Sequence, residues 1–159
     1  MATLPQLIEE DVQELDKVLR EFLKRSDATA ALILDKGGFL IAHHGDTSQF
    51  DVTTISALAS GAYMANQTIA NLVQESNFDS VYQQGDNSSM LVTNVDENCL
   101  LLVIFPAAVG VGIVKYHAGP ARDCIADQMQ IAQQRDPGAG LDLSELNIAD
   151  TSSLFKRKA

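Results

Sequence analysis

The side chains best suited to chemistry in this sequence form one small cluster, His43, His44 and Asp46. Imidazole and carboxylate groups are ordinary metal ligands. The two histidines directly follow a predicted strand, however, and adjacent side chains on extended backbone point to opposite faces, so they do not easily reach one ion. Cys99 and Cys124 lie outside any zinc-binding spacing, and we expect both to be small buried hydrophobes. The sequence therefore predicts no metal and no cofactor.

Motifs of nucleotide-binding and hydrolytic enzymes are absent as well. The chain has no GxxxxGK[ST] phosphate loop and no GxSxG nucleophile elbow. Gly110 and Gly112 at the head of a predicted helix do not make a dinucleotide fingerprint, and the tight start of a packed helix explains them better. We therefore predict that the chain has no active site of its own.

Charge and hydropathy restrict the partners and the compartment. The net charge of −10 over 159 residues leaves no basic surface for nucleic acid, and an anionic membrane would repel the chain. The longest apolar run is far short of a membrane span, and residues 1–25 are acidic and amphipathic, unlike a signal peptide. We expect a cytoplasmic protein.

Helical periodicity predicts three helices, over residues 3–25, 51–76 and 109–134. Thr3 and Gln6 form a capping-box pattern at the start of the first helix, and Asp51 can cap the second. In the third, Pro120 removes one backbone hydrogen bond and disfavours helix at Gly119, so we expect a kink or a break there.

Apolar runs between turn signals predict five strands, over residues 30–34, 39–42, 79–85, 89–95 and 99–105. Gly37 and Gly38 join the first two as a hairpin. Strand 99–105 is apolar throughout and belongs in the centre of the sheet, whereas the polar strand 79–85 belongs at an edge. We predict an α+β fold, in which a five-stranded antiparallel sheet carries the central helix on one face and the first and last helices on the other.

The domain is expected to span residues 3–135. Residues 136–140 have the composition of a linker, so residues 136–159 form a predicted flexible acidic tail. Its apolar residues, among them Leu143 and Leu146, are too many for a purely solvating tail. The tail either docks on a partner as a short element or simply frays.

The central helix has two stripes at helical spacing. We expect the buried face to consist of Ile55, Leu58, Ala59, Ala62, Ile69, Leu72 and Val73. The second stripe contains Ala57, Gly61, Met64 and Thr68, next to a polar row of Ser56, Ser60, Tyr63, Gln67 and Asn71. A solvated face normally carries Lys and Glu, yet here no charge occurs before Glu75. We interpret the second stripe as a contact surface for a second copy of the chain or for another protein. The alternative is a helix buried on most of its sides within one domain.

The order of these elements resembles the Roadblock family over about residues 6–134. The resemblance lies in three segments: the hairpin ALILDKGGFLIAHHG, the helix DVTTISALASGAYMANQTIANL, and MLVTNVDENCLLLVIFPAAVGVGIVKYHAGPA. Within the family, the chain resembles the MglB-type bacterial proteins, which activate Ras-like GTPases of the MglA type. These motifs are patterns of hydrophobicity and turns, so they carry no catalytic signature.

The resemblance implies a homodimer, in which two sheets join edge to edge into one continuous sheet and the two central helices pack side by side as a platform for one GTPase. By position, Met64 and Thr68 would face the GTPase, with Ala57, Gly61 and Asn71 nearby. Met64 and Thr68 are bulkier than the Ala and Gly that we expect in close MglB relatives. Motility polarity is the process that the resemblance suggests.

The resemblance also implies that activators of this type insert no arginine finger and instead reposition the catalytic residues of the GTPase. None of the arginines lies on the central helix; they are Arg20, Arg25, Arg122, Arg135 and Arg157. We predict a regulator of a Ras-like GTPase, and the alternative is a dimeric scaffold that recruits partners without changing the GTPase rate. A small-molecule sensor is a third option, although we see no cluster of convergent polar groups within an apolar pocket.

Overall fold

A computed structural model describes residues 4–135, in which three helices surround one five-stranded sheet. In chain order the elements are α1 (Glu9–Ser26), β1 (Ala30–Asp35), β2 (Leu40–Gly45), α2 (Val52–Leu72), β3 (Ser80–Gln84), β4 (Ser88–Asn94), β5 (Cys99–Pro106) and α3 (Val111–Gln134). The strand order is β2-β1-β5-β4-β3, and every neighbouring pair is antiparallel. The predicted fold class is therefore confirmed. The predicted tail, residues 136–159, lies outside the described residues.

The position of each strand follows from its polarity. β5 lies between β1 and β4, and its residues Leu100–Val103 are buried on both faces of the sheet. β3 is polar and forms one edge, as predicted, while β2 forms the other. A central strand has to be covered on both faces, whereas an edge strand can keep half of its surface in water.

The two faces of the sheet have separate cores. Helices α1 and α3 cover one face with large side chains, chiefly Leu15, Leu19, Phe22, Val114, Ile125 and Met129, which pack on Ile33, Leu101 and Phe105. On the other face, Ala59 and Tyr63 of α2 pack on Leu32, Leu100 and Leu102. The predicted placement of the three helices is therefore confirmed. None of the helices in residues 4–135 is both long and apolar enough to cross a membrane.

Helix α1 begins at Glu9, six residues later than predicted. The backbone N–H of Ile8 donates a hydrogen bond to the Asp11 carboxylate over 2.8 Å. Backbone N–H groups at the start of a helix have no partner within the helix, and the carboxylate of Asp11, the third helical residue, accepts from one of them. Of the proposed capping box, Thr3 lies outside the described residues and Gln6 precedes the helix.

The same carboxylate joins the start of α1 to the end of α3. Asp11 is fully buried and accepts two hydrogen bonds from Arg135, at 2.7 and 2.9 Å, and one from Gln128 Nε2 at 2.7 Å. The Arg135 guanidinium lowers the pKa of the Asp11 carboxyl to about 2, against the opposing effect of burial. A buried charge in this geometry is paired on both oxygens, so the carboxylate stays ionised.

Helix α3 corrects two predictions. It runs unbroken from Val111 to Gln134 with Pro120 inside it, so of the kink or break that we expected, the break is wrong. Pro120 itself is exposed, and the buried Ala118 and Ala121 lie on either side of it. Their packing keeps this segment helical, although Pro120 has no backbone N–H to donate to a helical hydrogen bond. Cys124 is exposed and not buried as predicted, because the buried stripe of α3 passes from Ala121 to Ile125. Cys99 is buried, as predicted, and burial raises the pKa of its thiol to about 12.

Replacing Asp11 with asparagine is expected to lower the free energy of unfolding by about 2 kcal/mol at neutral pH, since the carboxyl pKa falls from 3.8 to about 2 on folding. The folded-state pKa is depressed, so this stabilisation is complete above about pH 4 and is lost as the pH falls through about 2. Urea denaturation of both proteins at neutral pH and near pH 2 would measure the effect.

The control is Glu14→Gln, which removes an exposed ion pair with Lys17. It should lower the free energy of unfolding by less than about 1 kcal/mol. A stability difference between wild type and Asp11→Asn that is the same at both pH values would contradict the role given to the carboxylate.

Candidate interaction surface on helix α2

Helix α2 is fixed at both ends by local contacts. The Asp51 carboxylate accepts a hydrogen bond from the N–H of Thr54 over 2.8 Å, which confirms the predicted cap. The helix ends at Leu72, earlier than the predicted residue 76, because Gln74 adopts a left-handed conformation with φ of 64°. Between these ends, Val52–Leu72 contains no Asp, Glu, Lys or Arg.

The face of α2 that lies on the sheet is the polar one, which corrects the predicted arrangement. Ser56, Ser60 and Tyr63 are buried, although the sequence placed them beside the contact surface. Their polar atoms have partners: Ser56 Oγ donates to the Val52 carbonyl, and Ser60 Oγ donates to the Lys36 carbonyl, each over 2.6 Å. Both hydroxyl groups are therefore satisfied, although they are buried.

The far end of α2 is tied to the segment before β3. Gln67 Nε2 donates to the Phe78 carbonyl over 3.2 Å, and the Tyr63 hydroxyl lies 3.4 Å from both that carbonyl and Asn77 Oδ1. Burial raises the pKa of Tyr63. The bonds from Ser60 in the first half of the helix and from Gln67 in the second half therefore fix the rotation of the helix about its own axis.

The predicted buried stripe consequently faces outward. Leu58 is 69% exposed and Leu72 is 79% exposed, and Ile69 and Val73 are exposed as well. Only Ala59 of that stripe is buried, and Ile55 is half-buried. Periodicity showed that these residues share a side of the helix, but the sheet receives the neighbouring side. The prediction of the buried face was wrong for this reason.

The predicted contact residues Ala57, Gly61, Met64, Thr68 and Asn71 are all exposed in the described structure. They form one side of the outer surface, which we call the Met64 flank. The other side, the Leu58 flank, consists of Leu58, Ala62, Ala65, Ile69 and Leu72, and it is largely exposed too. A Cβ atom added at Gly61 would meet no other atom within 4 Å, so the middle of this surface is open.

These two flanks make one uncharged outer surface on a single helix. Monomeric soluble proteins seldom leave contiguous apolar surface of this kind open to water, and such patches mark contacts with other molecules. Because this surface carries no charged side chains, a partner can cover it without having to remove a charged group from water. Its arrangement suits protein–protein contact and provides no acid–base chemistry.

The other candidate groups do not form a reactive site. His44 Nδ1 lies 3.1 Å from Asp16 Oδ1 on α1, whereas His43 is exposed. In residues 4–135, no group of three or more His, Cys, Asp or Glu side chains could hold a metal ion. His117 is half-buried, and its ring packs edge-on against Tyr116.

Each arginine in the described range has an acidic partner. Arg122 makes a two-pronged ion pair with Asp79, at 2.9 and 3.0 Å, and Arg135 does the same with Asp11. Arg20 pairs with Asp16 and Arg25 lies 3.9 Å from Glu21. The described arginines are thus committed to α1, α3 and the start of β3, away from the outer surface of α2.

One exposed residue in the β1–β2 turn was missed by sequence reasoning. Phe39, which the sequence placed in the second strand, belongs to the turn before β2 and is 74% exposed. The turn is next to α2, because a Cβ atom added at Gly38 would lie 3.1 Å from the Cα of Ala57. An aromatic residue directly after two glycines was the available signal, but strand propensity outweighed it.

Comparisons with known proteins agree with this arrangement of elements. A family model described as the Roadblock/LC7 domain matches residues 14–105. The gliding protein MglB of Thermus thermophilus is similar in structure, with 26% identity and a TM-score of 0.73, over 82% of this chain and 98% of that chain. MglB of Myxococcus xanthus has 25% identity and a TM-score of 0.76, over 82% of this chain and 98% of that chain.

A further similar structure is described as MglB with a tetrameric arrangement; it has 26% identity and a TM-score of 0.75, over 83% of this chain and 99% of that chain. A sequence comparison with curated proteins gave no significant match. The family model covers more than half of the 159 residues, and the helices and strands match those of the MglB structures. The protein belongs to the Roadblock/LC7 family.

Proposed function

We propose that this protein is a homodimeric regulator of a small Ras-like GTPase of the MglA type and that it accelerates GTP hydrolysis by its partner. The observation that carries the proposal is the uncharged outer surface of α2, which has two exposed flanks on one helix. The similarity to MglB structures, at 25–26% identity, supports the choice of partner. The protein would act in the cytoplasm, in a process such as motility polarity.

The Leu58 flank suits a second copy of the chain. Its large apolar side chains, Leu58, Ile69 and Leu72, gain most from being covered. The hydrogen bond between Gln67 and Phe78 places the second half of α2 next to the start of β3, which is an edge strand. A second copy that paired along β3 could therefore continue the sheet and come to lie against the second half of α2, where Ile69 and Leu72 are exposed. The tetrameric arrangement of one similar MglB supports self-association.

The Met64 flank suits the GTPase. Its members are next to those of the Leu58 flank along the chain, and successive residues of an α-helix differ by about 100° in direction. The two flanks can therefore contact different molecules at the same time. Small residues such as Ala57 and Gly61 allow the backbone of a partner to approach closely, while Met64 is an adaptable apolar contact.

The proposed mechanism is differential binding. Arg20, Arg122 and Arg135 are each paired with a carboxylate of this chain and none lies on α2, so the proposal gives none of them the role of an arginine finger. The dimer would accelerate hydrolysis by binding the catalytically competent conformation of the GTPase more tightly than other conformations. The activator then supplies binding energy and the GTPase supplies the catalytic groups.

The test adds the purified protein to an MglA-type GTPase loaded with GTP and follows phosphate release. Acceleration that increases with the concentration of this protein supports the proposal. Binding without acceleration would identify a scaffold that recruits the GTPase, and the absence of binding would reject both functions.

Met64→Arg and Thr68→Arg are each expected to abolish binding of the GTPase while the homodimer survives. A guanidinium in the middle of an apolar contact would have to lose its water without a partner. A pull-down measures GTPase binding, and light scattering measures the mass of the dimer. Ile131→Arg, at an exposed apolar position on α3, is the matched control and should bind normally. Normal GTPase binding by both α2 variants would count against the Met64 flank.

Ile69→Arg is expected to give the opposite result, a loss of the dimer, because Ile69 belongs to the Leu58 flank. Analytical ultracentrifugation should show the mass of one protomer for this variant and twice that mass for wild type. Circular dichroism would verify that the isolated protomer remains folded. A dimer that persists in Ile69→Arg would show that the second copy binds elsewhere.

Alanine substitution of each arginine is expected to leave the maximal rate of stimulated GTP hydrolysis within about twofold of wild type. An arginine finger would raise that rate by a factor of roughly 10³–10⁵, so its loss would be obvious. Arg157, which lies outside the described residues, is included in this series. Each variant is assayed at saturating concentration, so that weaker binding is not mistaken for lost chemistry. A large loss of rate with unchanged binding, at any one arginine, would overturn the mechanism.

A further inference from the structure

We infer that a groove between helices α1 and α3 binds residues 141–148 of the tail of this same chain. The groove lies on the face of the sheet opposite to α2, so a tail bound there covers neither flank of the outer surface. The inference goes beyond the proposed function and does not depend on it.

The groove is an open apolar depression in the α1/α3 layer, with a volume of about 260 Å³. Its apolar lining comes from Val18 and Phe22 of α1 and from Pro120 and Ala121 of α3. Such a lining offers water few hydrogen-bond partners, so apolar side chains gain most from entering the groove.

The rim of the groove suits an occupant that is acidic as well as apolar. Lys17 and Arg25 of α1 line it, one helical turn on either side of Glu21. Lys17 pairs with Glu14 and Arg25 lies 3.9 Å from Glu21, but both cations are mainly exposed. Ion pairs at the surface are weak, so further carboxylates can share these two cations.

One segment of the tail has this composition. Residues 141–148 read LDLSELNI, in which four apolar residues alternate with polar ones and no Lys or Arg occurs. Its apolar side chains can enter the groove, while the carboxylates of Asp142 and Glu145 meet Lys17 and Arg25 at the rim.

The chain between α3 and this segment is long enough for the contact. At 1.5 Å per helical residue, Cys124 and Ala121 of the groove lie about 17 and 21 Å back along α3 from Arg135. Extended backbone spans at most about 3.5 Å per residue, so Leu141 can lie up to roughly 21 Å from Arg135 and Leu143 up to roughly 28 Å. Leu141 therefore reaches the near end of the groove, and Leu143 reaches its centre.

The residues at the end of α3 favour a reversal of the chain. Arg135 already has extended backbone, with φ of −66° and ψ of 138°. Pro137 disfavours helix at Asp136, and the two glycines that follow permit the conformations of a tight turn. Because Arg135 is bonded to Asp11 of α1, the tail begins beside both helices that form the groove.

An attached segment has an advantage over a separate molecule at this groove. Residues 136–140 alone connect α3 and Arg135 to the segment. A short linker gives an effective concentration in roughly the millimolar range, so a contact too weak to retain a separate peptide can still retain the tail.

Cys124 provides the measurement, because it lines the groove and is exposed in the described structure. Cys99 is buried and its pKa is raised to about 12, so a maleimide at neutral pH labels Cys124 selectively. The bound segment shields Cys124 in wild type. The full-length double variant Leu143→Asp, Leu146→Asp, which we call the tail variant, should therefore react roughly tenfold faster, since the unbound state would be a minor one in wild type.

The matched control is the full-length double variant Ser152→Asp, Ser153→Asp, which adds the same two charges outside residues 141–148. It should react within about twofold of wild type, because distant charges at the surface are screened at physiological salt. Circular dichroism verifies that all three proteins have the same fold. Equal labelling rates for wild type and the tail variant would overturn the inference.

Lys17→Glu combined with Arg25→Glu tests the rim of the groove. Repulsion of Asp142 and Glu145 should release the segment, so Cys124 should react faster than in wild type. The same two substitutions in the tail variant, where the segment is already released, measure any direct effect of the new charges on the thiol. Acceleration of equal size in both backgrounds would contradict the contact at the rim.

Co-expression distinguishes the tail of the same chain from the tail of a second copy. Chains of the tail variant are produced together with an excess of Cys124→Ser chains, whose tails are intact and whose grooves carry no reactive thiol. Binding within one chain predicts that Cys124 of the tail variant still reacts fast. Recovered protection would assign the groove to the tail of a second copy and overturn the inference. None of these assays contains a GTPase, so their failure and the failure of the proposed function are separate results.

Discussion

The largely polar face that α2 presents to the sheet determines the character of its outer surface. Ala59 and Tyr63 pack on Leu32, Leu100 and Leu102, and the hydroxyl groups of Ser56 and Ser60 are each bonded to a carbonyl. Because small and polar residues occupy this face, most of the larger apolar side chains of the helix remain outside. The core beneath α2 and the proposed contact surface above it are thus consequences of the same packing.

The other face of the sheet is built differently. Helices α1 and α3 bury large side chains and are joined at one end by Asp11 and Arg135. This layer buries most of its large apolar side chains within one protomer, although Ile113, Tyr116 and Ile131 of α3 remain exposed. The α2 layer leaves most of its large apolar side chains uncovered, so the proposed binding surface and the larger core lie on opposite faces of one sheet.

Most of the fold could be predicted from the sequence, because burial of whole segments leaves a strong pattern. The uniformly apolar β5 identified the centre of the sheet, and the polar β3 identified an edge. The rotation of α2 could not be predicted in this way. Both of its apolar sides have helical spacing, yet the polar row faces the sheet, where Ser60 and Gln67 bond to distant carbonyls. Similarly, the exposure of Phe39 depends on where a bonded turn gives way to a strand, which propensity does not resolve.

The absence of charge along Val52–Leu72 also affects the kinetics of association. Long-range attraction between complementary charges accelerates the encounter of many signalling proteins, and it weakens as ionic strength rises. A contact made through this helix would obtain its selectivity from shape, after the two molecules have met. The lifetime of the complex, more than the speed with which it forms, would then determine how long the partner is held.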